Sequence, residues 1–166
     1  MSAASPAARP GIDPRGPRFG ASITSVLLLV VIALGLATPL GGTLVERLTE
    51  PAAVLQTLLV ALFAWGAFAG IARHPYGAVF RTLIAPRLGA PSEREDPAAP
   101  TFAQGVGLLV TGVGLALHLA GVPYALVASA AAAFVAAFLN AAFAYCLGCQ
   151  LYVLLVRAGL LGRKTA

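Results

Sequence analysis

The stretch of sequence that decides the fold is 124-YALVASAAAAFVAAFLNAAFAYCLGCQLYVLLV-156, which contains no charged side chain. An α-helix formed by the whole stretch would be about 50 Å long, whereas the hydrocarbon core of a bilayer is about 30 Å thick. We therefore expect a membrane-spanning helix that tilts strongly, breaks, or continues along the membrane surface.

The whole chain has the composition of a membrane protein. Of its 166 residues, 59% are hydrophobic and 10% are charged, and the mean hydropathy is +0.88. Soluble domains have about a quarter charged residues. In hydrocarbon only helices and closed barrels satisfy the backbone polar groups, and the alternating pattern of barrel strands is absent. The net charge of +5 is spread along the chain, without the basic stripe of a nucleic-acid-binding protein. We predict an all-α polytopic membrane protein with membrane lipid, and no nucleic acid, as its partner.

Four apolar segments are long enough to cross a bilayer, and they predict a bundle of four transmembrane helices. The predicted spans are 19–38, 52–72, 102–120 and 124–156. We expect a transmembrane domain over 19–157, a disordered tail over 1–18 and a basic tail over 158–166. The first span is longer than the apolar region of a signal peptide, so we expect it to remain uncleaved.

The connection between the second and third spans is long and polar. Within it, segment 76–84 places apolar side chains at helical spacing opposite Arg81, which predicts a short helix in the membrane interface. Basic residues are concentrated in this connection and in the two tails, whereas Arg47 lies on the other side. By the positive-inside rule we expect a multi-pass protein of the inner, or cytoplasmic, membrane with both termini in the cytoplasm.

The only two cysteines, Cys146 and Cys149, form a CxxC motif near the end of the fourth span. On a helix they share one face. Small residues continue this face at four-residue steps, at Ser129, Ala133, Ala137 and Ala141. We therefore expect the thiols to point into the bundle, in its cytoplasmic half.

Three chemical interpretations of the pair are open. The cysteines can cycle between dithiol and disulfide, one can carry a persulfide that the other resolves, or both can bind a metal. A metal site would need His74 and His118, which belong to opposite ends of the bundle, so we predict none. We interpret His74 as a residue of an interfacial loop. The alternative from another class is a non-catalytic membrane subunit or scaffold in which the cysteines only pack.

Polar side chains near the pair complete the candidate site. The candidates are Cys146 and Cys149 as catalytic residues, Asn140, Tyr145, Gln150 and Gln104 as supporting residues, and Arg73, Arg81 and Arg87 as partner-docking residues. Polar groups in a span are costly unless they face protein or a cavity.

The pattern favours a thiol–disulfide oxidoreductase or sulfur-transfer component. It indicates no cofactor, and it is compatible with a homo-oligomer. No charged residue lies inside a predicted span, which argues against a proton pump or ion channel.

Short motifs extend over nearly the whole chain after the tail. They are His74-Pro75-Tyr76-Gly77, Pro86-Arg87-Leu88-Gly89, Glu95-Asp96-Pro97, Phe102-Ala103-Gln104, Ala137-Phe138-Leu139-Asn140-Ala141 and Tyr145-Cys146-Leu147-Gly148-Cys149. In combination they resemble an uncharacterised actinobacterial integral membrane family, catalogued as a domain of unknown function. The resemblance implies the fold and the location, and it supplies no activity. It also implies genes for thioredoxin-like and sulfurtransferase proteins nearby, which favours a cytosolic partner of those kinds.

A looser likeness links the chain to four-helix thiol oxidoreductases of the vitamin K epoxide reductase and disulfide-bond-B kind, which pair a CxxC with a quinone. The chain departs from them because it lacks a second cysteine pair and its CxxC is expected to face the cytoplasm. Quinone reduction coupled to periplasmic disulfide formation is therefore not expected.

Overall fold

The computed structural model describes residues 11–161, and the regular structure within them is helical. The helices are α1 (Arg15–Ala37), α2 (Leu44–Thr49), α3 (Pro51–Phe68), α4 (Pro75–Val79), α5 (Ala85–Leu88), α6 (Ala98–Leu119), α7 (Ala125–Phe143) and α8 (Leu147–Arg157). Four of them, α1, α3, α6 and α7, are long and apolar enough to cross a membrane. The predicted all-α fold with four transmembrane helices is confirmed. Residues 1–10 and 162–166 of the expected tails lie outside the described part.

The four long helices form a ring in which α1 contacts α3 and α7, and α6 contacts the same two helices. One end of the bundle, here the loop end, carries the starts of α1 and α6, the ends of α3 and α7, and the connection 69–97. The other, here the turn end, carries the connections 38–50 and 120–124. The buried core lies in the middle and in the turn-end half. It consists of Leu28, Val31, Ala52, Ala53, Leu59, Leu126, Ala130 and Ala133.

Polar contacts hold the turn end together. The carboxylate of Glu50 lies 3.1 Å from His118 Nε2 and accepts a hydrogen bond from the Gly41 N–H at 2.8 Å. Arg47 donates to the carbonyl of Leu119 at 2.6 Å. One turn further into the bundle, Gln56 is fully buried and donates to Thr111 and Ser129. These bonds tie α2, α3, α6 and α7 to one another.

The long connection contains the predicted short helix, which extends from α4 through a π-helical turn to α5. Phe80 is only 2% exposed, because its ring packs against Phe19 and Gly16 at the start of α1. Val79 and Leu83 point outward. This helix therefore lies across the loop end with one aromatic side chain inserted into the bundle.

The segment before α1 fastens this connection to the bundle. Ile12 and Glu95 exchange two backbone hydrogen bonds of 2.9 and 3.0 Å, and Arg94 donates to the Gly11 carbonyl. Arg15 pairs with Asp13 at 2.7 Å and donates to the carbonyl of Gly89. Residues 11–18, assigned to the tail from the sequence, are thus part of the folded domain. The hydrogen bond from Arg15 also holds the pKa of Asp13 below its ordinary value.

The stretch 124–156, predicted as one span, divides into α7 and α8. Ala144 has left-handed backbone angles, and the N–H groups of Ala144 and Tyr145 donate back to Asn140 and Leu139, which ends α7. At about 16 Å, α8 is too short to cross a bilayer. Of the three ways to accommodate the long apolar stretch, the chain uses a break.

Helix α8 crosses α6 near the loop end. Gly148 lies against Ala103, while the Tyr152 ring packs on Phe102 with 5.6 Å between centroids. Two successive turns of α8 therefore contact the first turns of α6.

Candidate functional site

The CxxC motif lies at the break between α7 and α8. Cys146 and Cys149 are joined as a disulfide with their Cα atoms 5.2 Å apart. Cys146 is the N-cap of α8, and its Sγ accepts a hydrogen bond from the Cys149 N–H at 3.2 Å. The first N–H groups of a helix and its dipole stabilise negative charge at this position. The site can therefore stabilise a thiolate, which is the reactive form of cysteine.

Gly148 allows the motif to approach α6 closely. A Cβ atom at this position would lie 2.6 Å from the Cβ of Ala103, closer than two side chains can pack. The break between α7 and α8 lies at residues 144–146, so Gly148 belongs to α8 and serves helix contact.

A cavity of about 1240 Å³ opens beside the disulfide in the loop-end half of the bundle. In α1 its wall extends from Arg15 to Thr24, and in α7 from Asn140 to Ala132. At 1.5 Å per residue, the cavity therefore penetrates roughly 12–14 Å towards the middle of the bundle. Both cysteines are partly exposed and line it.

Small side chains create much of this space. The cavity wall includes Ala103, Gly107, Ala133, Ala136 and Ala137. The sequence placed Ala133 and Ala137 on an interior face with the thiols, and they do share the cavity with Cys149. The face borders the cavity at Ala133, Ala137 and Cys149, whereas Ser129 packs against Gly114 of α6.

Most of the predicted supporting residues reach the cavity. Gln104, Asn140 and Gln150 line it together with the two cysteines. The side chain of Gln104 lies over Gly66 of α3, where any larger residue would collide with it. Tyr145 does not line the cavity, and its side chain is 46% exposed.

The predicted docking arginines are divided between the cavity and the outer surface. Arg81 lines the cavity and donates to the Ala72 carbonyl at 3.0 Å, whereas Arg73 and Arg87 are exposed outside it. Arg18, which sequence reasoning treated only as a tail charge, also lines the cavity and donates to the Ala141 carbonyl near the end of α7.

A family model described as "Domain of unknown function (DUF4395)" matches residues 12–157. The chain belongs to the DUF4395 family. This confirms the predicted membership of a family without a known function, and the match includes all four long helices and the thiol pair. Comparisons with curated proteins and with solved structures gave no match. Membership of DUF4395 supplies no activity, so a function has to be argued from the site.

His74 is the residue of this DUF4395 domain whose position sequence reasoning missed. It is 3% exposed, lines the cavity and bonds through both ring nitrogens. Nε2 lies 3.1 Å from the Leu62 carbonyl, and Nδ1 accepts the Tyr76 N–H at 3.2 Å. This pattern requires the neutral Nε2–H tautomer, and burial lowers the pKa of His74 below its ordinary value. The signal in the sequence was the following Pro75, which makes residue 74 an N-cap.

The described part of the domain contains no cluster of side chains suited to bind a metal ion. Between residues 11 and 161, no three His, Cys, Asp or Glu residues are grouped so that they could hold a metal ion. His74 lies at the loop end and His118 at the turn end.

Proposed function

We propose that this protein is a thiol-based redox or sulfur-relay protein of the inner membrane, which exchanges electrons or sulfane sulfur with a soluble partner. The observation that carries the proposal is the position of Cys146. Its sulfur caps α8, accepts the Cys149 N–H and borders an open cavity. A buried cysteine that only packs needs neither the helix end nor access.

The two cysteines have different roles in the proposed reaction. Reduced Cys146, as the thiolate at the helix N-terminus, attacks a disulfide in the partner and forms a mixed disulfide while one partner sulfur leaves. Cys149 then attacks Cys146, closes the internal disulfide and releases the second partner sulfur. Two electrons pass to the partner, and the reverse sequence reduces the Cys146–Cys149 disulfide. In the sulfur-relay form Cys146 takes a sulfane sulfur from a persulfide of the partner, whose thiolate leaves, and an acceptor thiolate later removes that sulfur from Cys146. Where no acceptor is bound, Cys149 attacks Cys146, closes the internal disulfide and releases hydrosulfide.

The proposed partner is a cytosolic thioredoxin-like or sulfurtransferase protein. The loop end carries Arg73, Arg81 and Arg87, and the positive-inside rule puts such a surface in the cytoplasm. Arg73 and Arg87 are exposed and free to meet acidic groups of a docking protein. Charges of this kind raise the rate of encounter more than they raise affinity.

A purely structural role explains the pair less well. A disulfide across four residues closes a very short loop, for which chain entropy gives only on the order of 2 kcal/mol. The turn is already fixed by the N-cap bond and by the contact of Gly148 with Ala103. A scaffold therefore has little need of the bond.

The test compares single-cysteine variants of the purified protein in detergent. Cys149→Ser leaves only Cys146 and Cys146→Ser leaves only Cys149, so the variants are matched in composition. We expect Cys146 to react about tenfold faster with dithiobis(nitrobenzoate) at pH 7, because the helix N-terminus stabilises its thiolate. Equal rates, or an internal disulfide that a dithiol cannot open in the wild-type protein, would contradict the proposal.

The proposed orientation is tested separately. A membrane-impermeant maleimide should label the reduced cysteines in inside-out vesicles and leave them unlabelled in intact cells. Labelling from outside intact cells would reverse the topology and exclude a cytosolic partner.

A further inference from the structure

We propose that the loop-end cavity binds one acidic phospholipid, with the acyl chains inside the bundle and the phosphate group among arginines at the entrance. The proposal goes beyond the thiol chemistry and does not depend on it. It rests on the shape of the cavity and on the placement of charge around it.

The lining of the cavity divides into a charged mouth and an uncharged interior. Every charged residue that lines it belongs to segments 11–18 or 81–96, here the mouth, at the loop end of the bundle. The inner wall is mainly apolar and includes Leu59, Phe63, Val110 and Ala133. A phospholipid has the same division, because its charged head group carries two apolar chains.

The depth and volume of the cavity also fit a lipid. The cavity penetrates roughly 12–14 Å from the loop end, which is close to half of the roughly 30 Å hydrocarbon core of a bilayer. Its volume of about 1240 Å³ exceeds the roughly 300–1000 Å³ of pockets for drug-sized ligands. Buried water needs about three hydrogen bonds, and an apolar wall offers few partners. The interior is therefore better suited to acyl chains than to water.

Two arginines of the mouth are anchored to the protein by one hydrogen bond each. Arg18 donates to the Ala141 carbonyl at 3.3 Å, and Arg81 donates to the Ala72 carbonyl at 3.0 Å. Among the residues that the structure describes, neither guanidinium forms an ion pair. A guanidinium has five N–H donors and binds phosphate oxygens through two of them at once. Both arginines can therefore bind an anionic head group.

These two arginines lie on different sides of the mouth. The Ala141 carbonyl belongs to the end of α7, and the Ala72 carbonyl belongs to the segment that follows α3. In the ring of four helices, α3 and α7 are both neighbours of α1 and of α6, so they lie across the ring from each other. A head group at the mouth would thus lie between the two guanidinium groups.

The balance of charge at the mouth favours an acidic lipid over a zwitterionic one. Four arginines and three carboxylates line it, which leaves an excess of one positive charge. Two of the carboxylates are engaged with the protein, because Asp13 pairs with Arg15 and Asp96 accepts the Ala98 N–H. Basic pockets between transmembrane helices are a recurrent site for acidic head groups.

The experiment measures lipid binding to the full chain in detergent by native mass spectrometry. Dioleoyl phosphatidylglycerol and dioleoyl phosphatidylcholine are compared at equal mole fractions, because they differ only in the head group. We expect one phosphatidylglycerol per chain, bound at a roughly tenfold lower concentration than phosphatidylcholine, since the choline cation meets excess positive charge. Equal binding of the two lipids would overturn the proposal.

Matched arginine variants test whether the preference comes from the mouth. Arg18→Gln and Arg81→Gln should each reduce the preference for phosphatidylglycerol several-fold, because each removes a charged donor. Arg87→Gln is the control, because Arg87 is exposed on the same connection and does not line the cavity. An equal loss in the control would mean that diffuse surface charge attracts the lipid, and it would overturn the site.

A second pair of variants tests whether the acyl chains occupy the interior. Ala136→Phe fills part of the cavity and should weaken the binding of both lipids about tenfold. Val135→Phe is the control, because Val135 is the neighbouring residue, is 52% exposed and does not line the cavity. Equal binding by the two variants would contradict an occupied interior. The arginine variants keep the proposal testable if the new phenylalanine disturbs folding.

Inorganic phosphate distinguishes a lipid site from a site for a free anion. Both ligands offer phosphate oxygens to the arginines, but only the lipid fills the apolar interior. We expect inorganic phosphate at the concentration of the lipid to displace no phosphatidylglycerol. Displacement at equal concentration would show that the mouth binds a free anion, and it would overturn the lipid assignment.

Discussion

The same four helices are packed tightly in the half of the bundle towards the turn end and open in the loop-end half. Towards the turn end, Leu28, Leu59 and Leu126 are almost completely buried, and Gln56 bridges three helices. At the loop end the helices surround a cavity, and the thiol pair, His74 and Asn140 lie in its wall.

We infer from this difference that one half of the bundle provides stability and the other provides the space around the cysteine pair. In lipid, helices associate through close packing and hydrogen bonds, since hydrocarbon tails are as apolar as leucine. The tightly packed half towards the turn end, here the closed half, therefore contains the buried core that holds the bundle together. The loop-end half, here the open half, keeps space beside the cysteine pair, and contacts such as Ile12 with Glu95 hold its periphery together.

The largest expected effect comes from two glycines of α6, one in each half. A Cβ at Gly114 would overlap the Ser129 side chain, whereas a Cβ at Gly105 meets nothing within 4 Å. Gly114→Leu should cost about 3 kcal/mol or more by separating α6 from α7. Gly105→Ala should stabilise the protein by about 0.5–1 kcal/mol. Unfolding in detergent compares the two, and equal effects would contradict the close packing of α6 against α7 at Gly114.

A smaller loss is expected from the core of the closed half. Leu28→Ala leaves a cavity at a fully buried position, and only the packing term counts in lipid, so we expect a loss on the order of 1–3 kcal/mol. Val26→Ala on the same helix is the control, because Val26 is 63% exposed. Its effect should stay within about 0.5 kcal/mol. Similar losses for both variants would mean that α1 is not packed as described.

His74 links the stability of the open half to pH. Its pKa is lower in the folded protein than in the unfolded chain, so unfolded chains bind more protons below pH about 6.5. Stability should be fully present above that pH and fall as the pH drops towards the folded pKa. His74→Gln should cost about 1–2 kcal/mol at pH 8 through its backbone bonds. It should also remove this part of the pH dependence in unfolding curves from pH 8 to 5, and an unchanged slope would contradict the assignment.

The smallest effect is expected from the ion pair between Asp13 and Arg15, at the start of α1. Arg15 lowers the pKa of Asp13, so the pair contributes above pH about 4 and is lost as the pH falls further. Both side chains are partly exposed, so Asp13→Asn should cost less than about 1 kcal/mol. The measurement is urea unfolding at pH 7 and pH 3, with a difference between variant and wild type only at pH 7. A larger loss would contradict the conclusion that the closed half contributes more to stability than the segment before α1.

Much of the fold follows from length and charge in the sequence. Uncharged stretches near the length of a bilayer predicted the four spans, and the spacing around Phe80 predicted the helix in the long connection. These features depend on local composition, so they can be predicted from the sequence.

The position of the break could not be predicted. Ala144 takes left-handed angles that favour glycine, although a glycine is present four residues later. The turn depends on contacts between distant parts of the chain, such as Gly148 with Ala103 and Arg18 with the Ala141 carbonyl. Because the sequence predicted one continuous span, it did not predict that Cys146 lies at a helix N-terminus.

The pattern of small residues did not predict the cavity either. Alanines at Ala133 and Ala137 are compatible with a tightly packed helix pair or with a gap, and only the arrangement of the helices decides between them. The sequence predicted Asn140 and Gln104 at the depth of the thiols, and both side chains line the cavity that the two cysteines also line. The burial of His74 was missed because it depends on the Leu62 carbonyl of the preceding helix.

The most direct test of the account is the oxidation state of Cys146 and Cys149 in living cells. Acid-quenched membranes are alkylated with a mass-shifting maleimide, with and without prior reduction, and the bands are separated on a gel. We expect the wild-type pair to be divided between disulfide and dithiol and to move towards dithiol when the cells receive a permeant reductant. A pair that stays in one state under every condition, in cells whose Cys→Ser variants behave as wild type, would contradict thiol chemistry at this site.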